Sequence, residues 1–575
     1  MIQKAVPGYT EMFGPPKPDY DELLKGITPR TGIVYCITLN NELNAALPYE
    51  ANQARLMQQA QSVFTLEQKL IINANLYRLC VQRNDPTVAE IFHKSTLLAM
   101  LVKELNRAGK ATDARLDGTN QFPLLVVLFL VIEEEHAKSR PHLDDAIAKK
   151  NEPLSEYRII WAPLINQFHF QEWVSPMFEV FKVFCLLKYS FDKWREHLRT
   201  YLAKYDIKQM GVLVGSYRQL LDATTKEYPE NGLRKHVPIV PKNDAKHLQY
   251  LAVNSLIGKK NIAWPDLKKK PLYHDPEMGY LVIDKDFLFK HIFRGPYFDL
   301  RASTKLKDSL DYNNYSNIVS TDVMEKMVLR PILRLLQKGK GNLQFDEGPD
   351  GDRGVPDACY FTDNIVVLFE SKAYIFPDDL SAKPNFDNLV NYLNERLIEK
   401  DDGTSKGVGQ LIKNIETIFE CGYSFHKNPL PASGKLIVYP IIVHNDFQFA
   451  LPGINNYLNE NFRLRLPAHL QQKMDIRDLT LINMDWLFDL SMRDSSLQDL
   501  QNYIDRYHIL MRERKQGLHQ GRVDGDQFLR AQASFDETYQ FTIINDLPKA
   551  SDNPQLLMTL IDSAGLTKEI LDAEV

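Results

Sequence analysis

The sequence predicts a multidomain protein with a mainly α-helical N-terminal half, an α/β domain and a short helical C-terminal extension. At 575 residues the chain is too long for one core, since domains average roughly 100 to 200 residues. Residues 50–225 repeat apolar side chains at three- and four-residue spacing, whereas residues 306–500 alternate helix and strand patterns. A composition of 44% hydrophobic and 25% charged residues is typical of a folded globular protein.

Four consecutive segments follow from these patterns. The helical spacing is clear in "TVAEIFHKSTLLAMLVKELNRAG" and in "SPMFEVFKVFCLLKYSFDKWREHLRTYLAKY", and it is also present in "ANQARLMQQAQSVF". Prolines, aromatics and lysines then replace it. We therefore expect a mainly helical regulatory or recognition domain, a linker or connecting subdomain, an α/β domain and a helical C-terminal extension, over residues 1–235, 236–305, 306–500 and 501–575.

Cysteine usage and hydropathy predict a cytoplasmic protein without a membrane partner. The five cysteines are scattered without a C-x-x-C pair, which favours a reducing compartment. The longest apolar run, Phe122 to Ile132, is short of the ~20 residues that span a bilayer. The formal net charge of -5 gives no global attraction to nucleic acid, so such binding would depend on local basic patches.

The stretch "GVPDACYFTDNIVVLFESKAY", residues 354–374, combines a buried-strand pattern with acids. A two-residue hairpin turn at Asp363-Asn364 would put Asp357 directly opposite Glu370. Facing residues have Cβ atoms ~5 Å apart, so two carboxylates there repel unless a cation lies between them. Lys372 would share the face of Glu370, and Ser371 would point away while its carbonyl stays near the acids.

This arrangement predicts a magnesium site. Two carboxylates, a backbone carbonyl and water provide the oxygen ligands that Mg²⁺ prefers, with Mn²⁺ as a substitute. We therefore expect Asp357, Glu370 and the Ser371 carbonyl as ligands. Lys372 would hold or help to deprotonate an attacking water, and its loss would leave folding nearly intact. The metal would lower the pKa of that water and neutralise charge on a phosphate.

Pro356-Asp357 and Glu370-Ser371-Lys372 resemble the signature of the PD-(D/E)XK nuclease superfamily, the restriction-endonuclease-like fold. The resemblance covers about residues 306–500. It implies a mixed central sheet flanked by helices, with a core that runs helix, three-stranded meander, helix, strand. It also implies a Mg²⁺-dependent nuclease that hydrolyses phosphodiester bonds, and we expect a DNA endonuclease.

Two further residues extend the resemblance. Glu325 lies on an apolar stripe of the predicted helix "STDVMEKMVLRPILRLLQKGKG" and is similar in placement to the accessory helix glutamate of the superfamily. Gln410 in "KGVGQLIKNIETIFE" resembles the glutamine of the branch that includes RecB-like nucleases, although Asn414 stands where a tyrosine often follows. The resemblance thus adds Glu325 and Gln410 to the candidate catalytic residues, and Gln410, Lys413 and Asn414 would share a polar helix face.

A lysine-rich segment is the candidate nucleic-acid contact. In "GKKNIAWPDLKKK" five lysines surround Trp264, which could stack a base while the lysines contact phosphates. A solvated lysine loop is the competing interpretation. The candidate contacts are Trp264, Lys413, Lys259, Lys260, Lys268, Lys269 and Lys270.

Three alternatives to a DNA endonuclease stay open. The same site could cleave RNA, or the domain could be a catalytically inactive nuclease-fold module that binds nucleic acid or serves as a scaffold. The helical N-terminal half could instead be the functional part, as an interaction module. Large members of the superfamily with extra helical domains resemble components of bacterial anti-phage or restriction systems. A homo-oligomer and a regulatory protein partner both remain open.

Overall fold

The structure, a computed structural model, forms two compact units. One unit contains Pro141–Leu198 and Arg301–Ala573, and the other contains Gln3–Arg140, Arg199–Leu300 and Glu574–Val575. The structure describes residues 9–13, 15–19, 23, 27–43, 66–83, 94–109, 126–127, 129–132, 134, 154, 156–158, 160–161, 175–225, 239–240, 246–339, 341–346, 356–362, 364–377, 380, 385–421, 435–518, 525–543, 554–565 and 568–575.

The units are not four consecutive segments. Pro141–Leu198, expected in the helical N-terminal half, belongs to the same unit as the predicted α/β domain and C-terminal extension. Sequence periodicity identifies helices but does not identify the core against which each helix packs. No helix in the described part of the chain is long and apolar enough to cross a membrane.

The unit that contains Arg199–Leu300 is mainly helical and has a small sheet. Strands β1 (Ile239–Val240), β2 (Leu272–Asp275) and β3 (Gly279–Val282) form an antiparallel sheet in the order β1-β3-β2. The region expected as a linker or connecting subdomain therefore has regular structure, whereas the predicted helix at residues 51–64 lies outside the described residues. The helices that lie wholly or largely in this unit are Tyr9–Phe13, Pro29–Leu43, Leu66–Arg83, Lys94–Ala108, Arg195–Ala203, Met210–Thr225, Lys246–Leu251, Val253–Leu256, Trp264–Lys269 and Lys285–Ala302.

The other unit contains a mixed six-stranded sheet flanked by helices, which confirms that part of the predicted fold. The strand order is β4-β5-β6-β7-β8, and β9 also pairs with β7. Pairs β4-β5 and β5-β6 are antiparallel, whereas β7 is parallel to β6, β8 and β9. The strands are β4 (Asn342–Phe345), β5 (Ala358–Phe361), β6 (Ile365–Lys372), β7 (Leu436–His444), β8 (Met474–Ile476) and β9 (Thr480–Asn483).

The helices of this unit pack on both sides of a largely apolar sheet. β6 and β7 are buried almost throughout, as continuous apolar runs predict for central strands. The connection between them contains the helix Gly407–Cys421, so the chain follows the predicted order of helix, meander, helix and strand. The remaining helices are Pro176–Lys193, Leu306–Ser309, Tyr312–Ile318, Val319–Leu329, Arg330–Leu336, Phe386–Leu393, Asn394–Ile398, Phe447–Ala450, Ile454–Arg465, Ala468–Lys473, Met484–Met492, Leu497–Leu518, Gly525–Arg530, Phe535–Thr538, Tyr539–Ile543, Pro554–Ser563 and Lys568–Asp572.

The predicted hairpin register is confirmed. Ala358 faces Phe369 and Cys359 faces Leu368, which is the pairing that a two-residue turn at positions 363 and 364 requires. Asp363 itself lies outside the described residues. One further pair along this register puts Asp357 opposite Glu370.

The helical segment before β4 continues through Pro331. Val319–Leu329 is π-helical and leads directly into the α-helix Arg330–Leu336. Because proline has no N–H, it cannot donate to the carbonyl of Met327 four residues earlier. The thiol of Cys185 contacts that carbonyl at 3.5 Å. Glu325, 9% exposed, faces inward as its apolar stripe predicts.

The C-terminal segment is joined to the central sheet. At the end of β7, the imidazole of His444 lies 3.0 Å from the carboxylate of Asp536 and 2.9 Å from the Asp446 carbonyl. The other carboxylate oxygen of Asp536 accepts a hydrogen bond from the Asn483 N–H. His444 and Asp536 are fully buried, so this segment completes the core.

Candidate active site

Pro356 leaves a backbone carbonyl of β6 available at the hairpin. The odd-numbered residues of β6 bond to β5, as the 2.9 Å bond from Thr362 N–H to Ile365 C=O shows. In this register Pro356 is opposite Ser371, and it has no N–H to donate to the Ser371 carbonyl. The Ser371 N–H donates to the Asp357 carboxylate at 2.6 Å. Because N–H and C=O of one strand residue point the same way, the Ser371 carbonyl is on the Asp357 side.

Glu370 and Lys372 form a buried ion pair at the end of β6. The Nζ atom of Lys372 is 2.6 Å from Oε1 of Glu370, which shows that the two side chains share a face. Glu370 is 2% exposed and Lys372 is 9% exposed. Burial favours the neutral amine, but attraction to Glu370 and Asp357 outweighs it and raises the pKa of Lys372. Lys372 is therefore an ammonium ion at neutral pH.

The acids of the site destabilise one another's charged forms. Burial first, and then repulsion from Asp357, raise the pKa of Glu370 to about 8 in spite of Lys372. Burial likewise raises the pKa of Asp357, against the opposing effects of Lys372 and the Ser371 N–H. The effect of Asp357 on Glu370 is what the predicted facing arrangement requires. A cation between them would favour both ionised forms.

Glu325 belongs to the same electrostatic cluster. Burial and then the charge of Asp357 raise the pKa of Glu325 to about 7. Arg330, five residues further along the helical segment, donates to the Glu325 carboxylate at 2.8 Å and to the Asp346 carbonyl at 2.7 Å. The guanidinium thus ties Glu325 to the segment between β4 and the hairpin. Sequence reasoning missed Arg330, because a single arginine on a helix has no distinctive pattern.

Three further cations, Arg396, Lys400 and Lys406, form a group near Lys372, and sequence reasoning missed them as well. The pKa of Lys406 is lowered first by burial and then by the charges of Lys372, Lys400 and Arg396, in that order. These four charges therefore lie near one another. The guanidinium of Arg396 is 5.2 Å from the ring centroid of Tyr374, two residues beyond Lys372. Lys406 immediately precedes the helix Gly407–Cys421. Their positions depend on tertiary packing, and their sequence spacing carried no motif.

The polar helix face is only partly as predicted. Gln410 is half-buried one turn after Lys406, and its Oε1 atom has no hydrogen-bond partner among the described residues. Lys413 is exposed, in agreement with an outward position. Asn414 is only 2% exposed, so the expectation that it lies on the polar outer face is wrong. It is enclosed because apolar residues on both sides of it, including Leu411 and Ile415, pack into the core.

The predicted lysine patch lies in the unit that contains Arg199–Leu300, and three of its five lysines contact neighbouring residues there. Lys260 pairs with Asp266 at 2.6 Å, and Lys268 lies 4.7 Å from the Trp264 ring centroid. Lys270 lies 3.4 Å from the Tyr250 ring centroid, and burial lowers its pKa to about 8. Lys259 and Lys269 are exposed. The structure does not bring this segment and the carboxylates into one compact unit.

The oxygen atoms at the hairpin fit a hard divalent cation. Asp357, Glu370 and the Ser371 carbonyl are available from one side of the strand pair, and Mg²⁺ commonly uses one or two carboxylates and keeps several waters. Among the described residues, no group of three or more His, Cys, Asp or Glu side chains is arranged to hold a metal ion. The raised pKa values of Asp357 and Glu370 indicate that Lys372 does not fully offset the burial of these two carboxyls.

Comparison of the chain with protein-family models, curated proteins and solved structures finds no match.

Proposed function

We propose that this protein is a divalent-metal-dependent nuclease that hydrolyses phosphodiester bonds of DNA as an endonuclease. The observation that carries the proposal is the convergence of Asp357, Glu370 and Lys372 at the end of the buried hairpin. Burying these ionisable groups together destabilises the ionised form of Glu370, whose pKa is raised to about 8. Residues with strongly shifted pKa values cluster at functional sites. The resemblance to the PD-(D/E)XK superfamily supports the same reaction.

Each residue has a distinct role in this proposal. Asp357, Glu370 and the Ser371 carbonyl would hold Mg²⁺, which when bound would stabilise negative charge on the phosphate and lower the pKa of water. The Lys372 ammonium donates a hydrogen bond to the attacking water and orients it towards phosphorus. As the water oxygen bonds to phosphorus, it gives up a proton to Glu325 or to solvent. The bond to the leaving sugar oxygen breaks, and that oxygen takes a proton from solvent. Glu325, with a pKa of about 7, is suited to exchange a proton with water near neutral pH.

A second candidate is a catalytically inactive nucleic-acid-binding or scaffold module. The 2.6 Å ion pair between Lys372 and Glu370 favours it, because each charge already has a neighbour that neutralises it. An inactive module, however, has no need for the second buried carboxylate of Asp357. Buried acids without full compensation reduce stability, so a site of this composition is better explained by a bound cation.

Plasmid cleavage tests the proposal. Full-length protein is incubated with supercoiled plasmid in Mg²⁺, in Mn²⁺ and in chelator, and the nicked and linear products are measured. We expect cleavage with either metal and none in chelator. Glu370→Gln should abolish cleavage, whereas Glu420→Gln, which removes an exposed acid of the helix Gly407–Cys421, should cleave like the wild type.

The alternatives give different results in the same assay. Equal cleavage in metal and in chelator would contradict a metal-dependent site. Cleavage of RNA but not of DNA would show that the same site belongs to an RNase. Tight nucleic-acid binding without cleavage of either polymer in any divalent metal would favour the scaffold module.

A further inference from the structure

We propose that Arg396, Lys400 and Lys406 form a clamp for the phosphodiester backbone beside the carboxylate site, and that its ligand is duplex DNA. The three residues are called the basic clamp below. The inference deepens the proposed function, because it assumes that the substrate of the site is a nucleic acid. It assigns backbone binding to the connection between β6 and β7 and not to the lysine-rich segment around Trp264.

The connecting loop places two of these cations on one side. Glu399 and Ser405 form an isolated antiparallel bridge, and the Lys400 N–H donates to the Thr404 carbonyl at 3.0 Å. The Lys406 N–H closes the loop by donating to the Ile398 carbonyl at 3.0 Å. Side chains alternate between the faces of such a ribbon. Lys400 and Lys406, each one step from the bridge on the opposite strands, therefore share a face.

Arg396 joins this face to the catalytic strand. Its guanidinium lies over the ring of Tyr374, with 5.2 Å between the guanidinium carbon and the ring centroid. Tyr374 lies two residues after Lys372, the last residue of β6. The stacking contact holds the planar guanidinium while leaving its N–H groups able to bind a phosphate. The basic clamp thus begins next to the residues that would carry out the reaction.

The cations of the basic clamp lack direct ion-pair partners among the described residues. None of its three cations forms an ion pair with any residue in the described part of the chain. Nearby acids have other contacts: Asp402 is exposed and accepts from the Thr404 N–H, Glu399 pairs with Arg465, and Glu370 pairs with Lys372. The charges of Asp402 and Glu370 act on these lysines without a direct ion pair, and the pKa of Lys406 is nevertheless lowered, by burial and by the neighbouring cations. A polyanion is the ligand that turns the repulsion among these cations into binding energy.

Close backbone packing fixes the position of the basic clamp. A Cβ atom on Gly407 would lie 2.6 Å from the Leu397 carbonyl oxygen, and one on Gly409 would lie 3.1 Å from the Ile398 carbonyl oxygen. Only glycine at position 407 allows the helix to begin directly against the preceding segment. Lys406 is therefore presented from a packed junction, which limits the entropy lost when a phosphate binds.

Salt-dependent DNA binding tests the clamp. The affinity of the full-length protein for a labelled DNA duplex is measured in chelator between about 50 and 200 mM salt. Each phosphate contact contributes a slope of about -0.9 to log K against log salt. Lys406→Gln and Arg396→Gln should each make the slope shallower by about 0.9 and weaken binding roughly eightfold at 0.1 M salt, independent of sequence.

Lys473→Gln is the matched control. It removes the same charge from an exposed lysine just before β8. The next residue, Met474, pairs with the first residue of β7, whereas Glu370 and Lys372 pair with residues at the last end of β7. The control charge therefore lies at the opposite end of β7 from the carboxylate site. We expect this variant to bind like the wild type. Equal effects of Lys406→Gln and Lys473→Gln, or no salt-dependent DNA binding by the wild type, would overturn the clamp. A clamp effect that appears with RNA alone would overturn duplex DNA as its ligand.

The two proposals fail in distinguishable ways. If the wild type cleaves DNA and the clamp variants have the wild-type slope of log K against log salt, the clamp is refuted and the nuclease proposal stands. A reduced slope in those variants, in a protein that never cleaves, would support the clamp and refute the nuclease.

Discussion

Replacement of Glu370 by glutamine should make the metal-free protein less sensitive to pH. The folded protein raises the pKa of this carboxyl from 4.5 to about 8, first by burial and then by the charge of Asp357. The native state therefore retains a proton that the unfolded chain releases, and stability falls as pH rises between these two pKa values. A glutamine side chain would keep the shape of the glutamate without the titrating proton.

The magnitude follows from the two pKa values. For one group with these values, linkage gives a loss of about 2 kcal/mol in the free energy of unfolding between pH 6 and pH 8. Glu325, with a pKa of about 7, contributes in the same direction and remains in the variant. We therefore expect Glu370→Gln to reduce the pH-dependent loss by about 2 kcal/mol, but not to abolish it.

Urea unfolding of the full-length protein in chelator measures this effect. The two compact units can unfold in separate transitions, so the relevant transition is the one whose midpoint rises when Mg²⁺ is added to the wild type. Glu420→Gln should show the pH dependence of the wild type. A wild type that is more stable at pH 8 than at pH 6, or an equal pH response in wild type and Glu370→Gln, would refute the electrostatic account of the site.

Two further substitutions probe the strand pair. Pro356→Ala should supply an N–H that donates to the Ser371 carbonyl, and so weaken Mn²⁺ binding severalfold in a titration. Pro377→Ala, the control, should bind Mn²⁺ like the wild type. Unchanged binding by Pro356→Ala would exclude the Ser371 carbonyl as a ligand. Lys372→Ala should lower cleavage by on the order of 10² or more, and Lys372→Ala in a Glu370→Gln background should recover stability without activity. Normal cleavage by the single Lys372 variant would remove its proposed role.

The burial of Lys372 argues against the expectation that Lys372→Ala leaves folding nearly intact, and we expect a loss of stability instead. The ammonium is 9% exposed and lies 2.6 Å from the Glu370 carboxyl. Its removal takes a hydrogen-bond donor and a favourable charge away from a buried carboxyl whose pKa is already raised to about 8. This is why the double variant is the appropriate companion in the activity measurement.

Local patterns were sufficient to predict the hairpin and its strand faces. Strand alternation and a two-residue turn predicted the pairing of Ala358 with Phe369, and the apolar run of β6 predicted its central position. The stripe that contains Glu325 predicted its inward orientation. Each of these predictions uses spacing within a few tens of residues, where backbone geometry decides the outcome.

Long-range packing set the features that the sequence did not reveal. The pairing of His444 with Asp536 joins residues far apart in the chain, and neither residue has a neighbouring motif. Lys406 comes near Glu370 because the helix that it precedes, Gly407–Cys421, packs against β6 and β7. The enclosure of Asn414 is likewise decided by elements that pack around it, since helical spacing alone gives it a polar face.

Manganese binding tests the central claim, that Asp357 and Glu370 form a site for a divalent cation. Electron paramagnetic resonance measures free Mn²⁺ in a titration of the full-length wild type, Asp357→Asn, Glu370→Gln and the control Glu420→Gln. We expect saturable binding by the wild type and the control, and a loss of at least about tenfold in affinity in both site variants, because each removes a charged oxygen ligand. Equal Mn²⁺ binding by all four proteins, or no saturable binding by the wild type, would contradict the account.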